Sequence, residues 1–223
     1  QGFKHCAENA DRLFKAGETL AKKEDYALGN SLLILASEEA TKAIFLYYKY
    51  QWNGTLMEVQ SLFTKHITRH NFAKEYYHFF HFQLITLMGQ IAEHNKIAFT
   101  EEYFTELEKT EYAEAQTSRL VIEVFATQYD RLSKFNPDKP SNRKTLVKWF
   151  NKANERKERG FYVDHRKPNW ITPSVITEED YRQSHFITWN LVQLTLMLNT
   201  TGAKMKSDMD SFALTFVLHK IVN

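Results

Sequence analysis

The sequence predicts an all-α protein, one bundle of about six or seven helices. Three observations carry this. The chain holds only 7 Gly and 4 Pro in 223 residues, too few turn formers for a β-rich architecture. Every proline (Pro137, Pro140, Pro168 and Pro173) falls between 137 and 173, so the flanking segments carry no proline to interrupt a helix. Apolar residues in those segments recur at three- and four-residue steps, and at 43% of the chain they suffice for a sizeable core.

In the first segment Phe3, Ala7, Ala10, Leu13, Phe14, Gly17, Leu20 and Ala21 line one face of an amphipathic helix. The Lys22–Asp25 turn leads to a second helix, about 26 to 51, closed by the Asn53-Gly54 turn signal. Further helices are expected at about 55 to 95 and from about Thr100 to Lys134. A fifth, about 142 to 158, has Ser141 as its cap and Gly160 placed to end it in the left-handed conformation. Residues 161 to 176 lack a helical period and carry two prolines. They are expected to form an ordered loop, with Phe161, Tyr162, Val163, Trp170 and Ile171 packing on the helices. Thr177-Glu178-Glu179-Asp180 resembles a capping box and starts a sixth helix, about 178 to 199. After Gly202 a last helix is expected at about 207 to 221. With no repeat or flexible linker, residues 1 to 223 read as a single domain.

The formal net charge of +2 is too small to argue for nucleic acid. Cys6 is the single cysteine, so no intramolecular disulfide can form. The chain opens at Gln1 with no apolar signal region, and no apolar run approaches the length of a membrane span. The expectation is a cytoplasmic protein with no membrane partner.

Three clusters could carry chemistry. In the second helix Glu38 and Glu39 sit between apolar turns, with Lys42 four residues after Glu38. They form either an i,i+4 ion pair on a helix edge or a semi-buried carboxylate that orients a cation or imidazole. In Lys65–Phe72, His66 and His70 share a helix face with Arg69. Two histidines at that spacing can bind zinc, but no HExxH or Cys pair completes a site, and no metal or cofactor is expected. The alternatives are hydrogen-bonded histidines on a solvated face, or Arg69 on a phosphate beside an imidazole.

The third cluster is KERGFYVDH, residues 157 to 165, in which Arg159 and His165 are separated by five residues. An Arg can hold a phosphate bidentately, and a neutral His can take the proton from a ribose 2′-hydroxyl. Together they are the minimum for metal-free RNA cleavage, although the same pair can arise by chance or serve as a helix terminus packing its cap.

Residues 10 to 46, with Glu38-Glu39-x-x-Lys42-Ala43, resemble the first helical hairpin of HEPN domains, and more narrowly that of the abortive-infection AbiV family. Residues 157 to 180 are similar to that family's Arg-Gly-aromatic-Tyr-Val-Asp segment, followed by a Trp, a Pro and a Thr-Glu-Glu helix start. The sequence departs at Lys65-His66-Ile67, where the family more often reads Asp-His-Lys, and at His165, where another aromatic is common. The resemblance implies a HEPN-like fold, a role in phage defence and a homodimer with a composite cleft. It also implies an Arg, four to six residues, His motif, which Arg159 and His165 satisfy.

On this basis the expected function is a toxin-like endoribonuclease acting on RNA. Arg159 would bind the scissile phosphate, His165 or His66 would act as base, and Glu38 or Asp164 would orient them. Glu39, Lys42, Arg69, His70 and Tyr162 would bind or orient substrate. A phage-encoded activator or an antitoxin-like regulator is the expected partner. The alternative is a non-catalytic HEPN module that blocks translation or a phage process by binding. A structural consequence is also expected: Arg159, Tyr162 and Asp164 fold back on the Glu38–Lys42 face and meet the His66–His70 face.

Overall fold

A computed structural model of the chain describes residues 1–51, 60–98, 109, 130–162, 164–166 and 169–201. The described elements are α1 (Gly2–Ala21), α2 (Tyr26–Gln51), the short α3 (Gln60–Thr64) and α4 (His66–Ala98). They continue with α5 (Pro140–Phe161), β1 (Asp164–Arg166), β2 (Asn169–Ile171), a 3-10 turn (Pro173–Val175) and α6 (Glu178–Thr201). The fold is all-α, relieved by one small hairpin. Most of the fourth expected helix and all of the last lie outside the described residues, as does the Asn53-Gly54 turn; residues 130–134 are helical.

α1 and α2 form an antiparallel hairpin through the Lys22–Asp25 turn, where Glu24 adopts a left-handed φ of 62°. Their backbones approach closely at Gly17 and Gly29. A Cβ on either would lie 3.0 Å from the other's carbonyl oxygen, which explains the small residues there.

α2 is the central element and packs against α1, α4, α5 and α6. Its Leu33, Ala36, Ala40, Ala43 and Ile44 form one fully buried stripe, and the burial of Ile34, Thr41 and Glu38 carries the inward face further round the helix. Polar ties hold the neighbours in register. Ser31 Oγ donates to Lys157 O at 2.9 Å, Thr188 Oγ1 to Leu33 O at 3.1 Å, and Trp149 Nε1 to Ser184 Oγ at 2.8 Å.

Several expectations are corrected. The single helical region from 55 breaks at Lys65 into α3 and α4. Ser141 does not cap α5, because Pro140, with φ already fixed for a helix, takes the first turn and Lys139 precedes it without a side-chain cap. Gly160 does not end α5; the helix runs on to Phe161 and passes into extended backbone at Tyr162. The glycine is needed because α5 crosses α2 there: a Cβ on Gly160 would lie 1.9 Å from Ser31 Oγ and 2.4 Å from Ala27 O. The expected loop contains an antiparallel hairpin pairing Asp164 with Ile171, His165 with Trp170 and Arg166 with Asn169. Phe161 does not anchor in the core but stays 36% exposed; the side chains of Val163, Trp170 and Ile171 lie outside the described residues. The capping box is present, with Thr177 Oγ1 accepting from Asp180 N at 3.2 Å and Asp180 Oδ2 accepting from Thr177 N at 3.2 Å.

Candidate active site

Glu38 sits mid-way along α2, where the neighbours on all sides are helices, so its carboxylate is 3% exposed. A carboxylate at that depth persists only with charged or donor partners. α4 supplies three and α5 one. Arg69 reaches Glu38 Oε2 through Nη2 at 2.8 Å and Nε at 3.1 Å, and its Nη1 donates to Leu62 O and Phe63 O at the end of α3. His66 Nδ1 lies 2.6 Å from the same Oε2. Lys157 Nζ donates to Oε1 at 3.1 Å. His70 Nε2 stands 3.2 Å from Oε1, within ion-pairing reach but off the angle of a hydrogen bond.

Burial pushes the Glu38 carboxyl up; the His70 imidazole, the Lys157 charge and the Arg69 guanidinium outweigh it and hold the group well below the usual carboxylate range. Glu38 is therefore ionised throughout the physiological range. Around it stand two basic side chains, Arg69 and Lys157, both nearly buried.

His66 is the member that meets solvent. As the first residue of α4 its side chain is 48% exposed, while Nδ1 points inward, 2.6 Å from Arg69 Nη2 and 3.0 Å from Lys157 Nζ as well as beside Glu38. In the tautomer that donates Nδ1–H to the carboxylate, Nε2 carries the lone pair and is the nitrogen that can face a substrate; in the other, Nδ1 accepts from Arg69 or Lys157 and Nε2 carries the hydrogen. A carboxylate-oriented imidazole flanked by two cations can take a proton from a hydroxyl and stabilise negative charge developing beside it. Among the described residues no group of His, Cys, Asp and Glu is arranged to hold a metal ion.

The structure thus brings together Glu38, His66, Arg69 and His70. It leaves Glu39, Lys42, Arg159 and Tyr162 elsewhere. Lys42 does not pair with Glu38; its Nζ meets Glu39 Oε1 at 2.5 Å, three residues back, in a partly exposed pair. Arg159 does not fold back on Glu38 but pairs with Glu155 on its own helix, one-third exposed. Tyr162 is 66% exposed and is not among the groups that meet Glu38. Asp164 and His165 belong to β1 by backbone pairing, and their side chains lie outside the described residues.

The residue that sequence reasoning missed is Lys157. Its place follows from helix periodicity: the inward face of α5 runs Leu146, Trp149, Phe150, Ala153, Lys157 and Gly160. Arg159 lies two residues on from Lys157, about 200° round the helix, and so cannot share that face. The spacing from Ala153 to Gly160 was the available signal.

The downstream histidines are separate. His81 is buried and joins three segments, with Nδ1 2.9 Å from Asn190 Oδ1 and Nε2 near the carbonyls of Leu132 and Phe135. Burial lowers its pKa against these hydrogen bonds. His78 pairs with Asp138 at 3.0 Å on the surface.

No curated protein and no solved structure matches the chain. A family model does: AbiV, a HEPN family, matches residues 1–193, which takes in the whole Glu38 cluster and the Arg159–His165 segment. The chain belongs to the AbiV family of HEPN domains.

Proposed function

We propose that the protein is an abortive-infection effector that cleaves RNA without a metal ion, with His66 as the general base. Membership of the AbiV family supports a role in phage defence. The observation that carries the chemistry is the 2.6 Å contact between the buried Glu38 carboxylate and the half-exposed His66. His66 Nε2 takes the proton from a ribose 2′-hydroxyl, and the 2′-oxygen attacks the adjacent phosphorus. The bond to the 5′-oxygen breaks and that oxygen takes a proton from solvent, leaving a 2′,3′-cyclic phosphate and a 5′-hydroxyl. Glu38 holds the imidazole and steadies its positive charge, and Lys157 and Arg69 supply positive field beside the phosphorane.

Arg159 and His165 retain a part in this proposal. Arg159 stands two residues from Lys157 at the end of α5 and can exchange Glu155 for a phosphate. His165 is a second candidate base. Cytoplasmic RNA is the proposed substrate; among the described residues no helix is long and apolar enough to cross a membrane. A phage-encoded activator or antitoxin-like regulator would set the timing of cleavage.

The test is incubation of the purified protein with total RNA in EDTA, alongside H66A, H165A and R159A. Cleavage lost in H66A and retained in H165A supports the assignment, whereas cleavage that survives in H66A removes His66 as base. A second function is favoured by one observation: Glu38, Arg69, His70 and Lys157 are all below a tenth exposed, as in a cluster that only pins helices together. In that case the protein is a non-catalytic module, and RNA stays intact under activating conditions.

A further inference from the structure

The outward face of α5 carries charge that the Glu38 cluster does not use. Lys144, Lys148 and Lys152 are exposed and follow one another at four-residue steps, each a rise of about 6 Å along the helix. From Lys139 to Asn154 the chain has no Asp or Glu. The acids around this stretch are engaged elsewhere. Asp138 pairs with His78 at 3.0 Å, Glu155 with Arg159, and Glu158 accepts from Asn154 Nδ2 at 2.8 Å. On the neighbouring α4, Glu75 lies 3.8 Å from Lys74. Among the described residues none of the three lysines has an ion-pair partner.

This row costs the fold stability. Like charges at i,i+4 repel one another. α5 also opens on Lys139 as its cap, with no acid in its first turn and Arg143 and Lys144 close behind, against the sign that the helix dipole favours. Cations kept against both effects fit a surface that meets a polyanion.

The other end of the helix adds a different mark. Tyr162 is 66% exposed and Phe161 36%, with their ring centroids 6.1 Å apart. Solvent-open aromatic rings at the end of a row of cations suit a single strand: its phosphates follow the charge and its unpaired bases stack on the rings. A duplex keeps its bases stacked inside and offers them no partner. The packing sets a direction. α4 and α5 run antiparallel, with Lys74 Nζ 3.5 Å from Asn151 Oδ1 and Lys157 Nζ 3.0 Å from His66 Nδ1. A strand laid on the lysines from the start of α5 therefore heads for the end of α4 that carries His66.

We propose that the outward face of α5 is a track for single-stranded RNA, with backbone phosphates on Lys144, Lys148 and Lys152 and a base stacked on Tyr162. The inference rests on the ribonuclease function proposed above and adds to it the form of the substrate and the path it takes.

The experiment measures binding by fluorescence anisotropy across a range of salt, on the full chain carrying H66A and in EDTA so that the strand stays whole. The probes are a short single-stranded RNA, the same sequence as a duplex, and polyglutamate as competitor. The single strand should bind more tightly than the duplex. K144Q/K148Q/K152Q should bind it at least about tenfold more weakly, with a log–log salt slope shallower by about 2, the loss of three phosphate contacts. The variant should melt no lower than its parent, because the repulsion along the row is relieved. Y162A should weaken the single strand by about tenfold and leave the duplex unchanged. No binding of the single strand, or wild-type affinity and slope in the lysine variant, overturns the proposal. So does an unchanged Y162A, a duplex bound as tightly as the strand, or polyglutamate that displaces RNA charge for charge, which would make the face a site for an acidic protein. Two results keep this proposal and the nuclease apart. RNA bound through the lysines but left whole by the wild-type protein sinks the nuclease alone. Cleavage at the wild-type rate by the lysine variant with His66 in place sinks the track alone.

Discussion

At Glu38, three helices and four partners converge on one carboxylate. Its place in an apolar stretch already required a cation or donor, and two of its partners, His66 and Arg69, were recognisable as one helix face. Which cation from the chain's second half would arrive was legible only in the helix phase of α5, since Lys157 and Arg159 stand two residues apart. The energetic consequence is direct. Glu38→Gln leaves Arg69 and Lys157 facing one another with no countercharge, a loss of about 3–5 kcal/mol for a buried pair deprived of one partner. Urea unfolding at neutral pH checks this, and a loss within about 0.5 kcal/mol, the range of surface substitutions, would show that the cluster is wetter than it looks. The pH dependence has a definite sign. The folded-state pKa of Glu38 is depressed, so its contribution is complete above the ordinary carboxylate value of about 4.3 and falls away as pH drops below it. The wild-type protein should therefore lose stability more steeply than Glu38→Gln on acidification below that value.

Among the elements, α2 and α6 stand at their expected ends because their signals are local: a polar turn before α2, and a capping box before α6. α5 shows where local signals mislead. Gly160 looks like a helix stop by residue type, yet it marks the place where α5 presses on α2, and Ser31 ties the two helices by donating Oγ–H to Lys157 O at 2.9 Å. The β1–β2 hairpin was illegible for a different reason: strands of three residues are too short to show alternation. Gly160→Ala tests the crossing. Its Cβ would meet Ala27 O, which is backbone and cannot swing aside, so α5 must shift away from α2. A destabilisation of about 1–3 kcal/mol is expected, the usual range for overpacking. Because Lys157 lies one turn away, the same shift should reduce cleavage beyond what stability explains. A Gly160→Ala protein with the wild-type melting temperature would mean that the two helices are not in this contact.

For the whole molecule, most of the aromatic residues crowded at 76–82 on α4 are buried or partly buried. Tyr77, Phe79 and Phe80 are buried within the monomer, because α4 packs on α2, α5 and α6 together; of that cluster Phe82 is the one left largely exposed. The homodimer must therefore be argued from another surface. Phe63 at 40% and Ile67 at 57% exposure flank His66, so the rim of the candidate site is itself apolar. Large apolar side chains beside a polar cleft mark an interaction surface, and HEPN domains commonly dimerise; we propose that a second copy of the chain placed there closes a composite cleft around His66. Light scattering at micromolar concentration should give twice the 26.3 kDa of one chain. Ile67→Asp should return it to one, since a carboxylate desolvated at such an interface has no partner. The side chain is exposed, so the variant's melting temperature should be limited to the loss of dimer contacts, and its Glu38 cluster should remain intact. Cleavage by Ile67→Asp should then recover as protein concentration rises, whereas that of H66A should not. A wild-type mass of one chain would remove the composite cleft and leave His66 to act within a single copy.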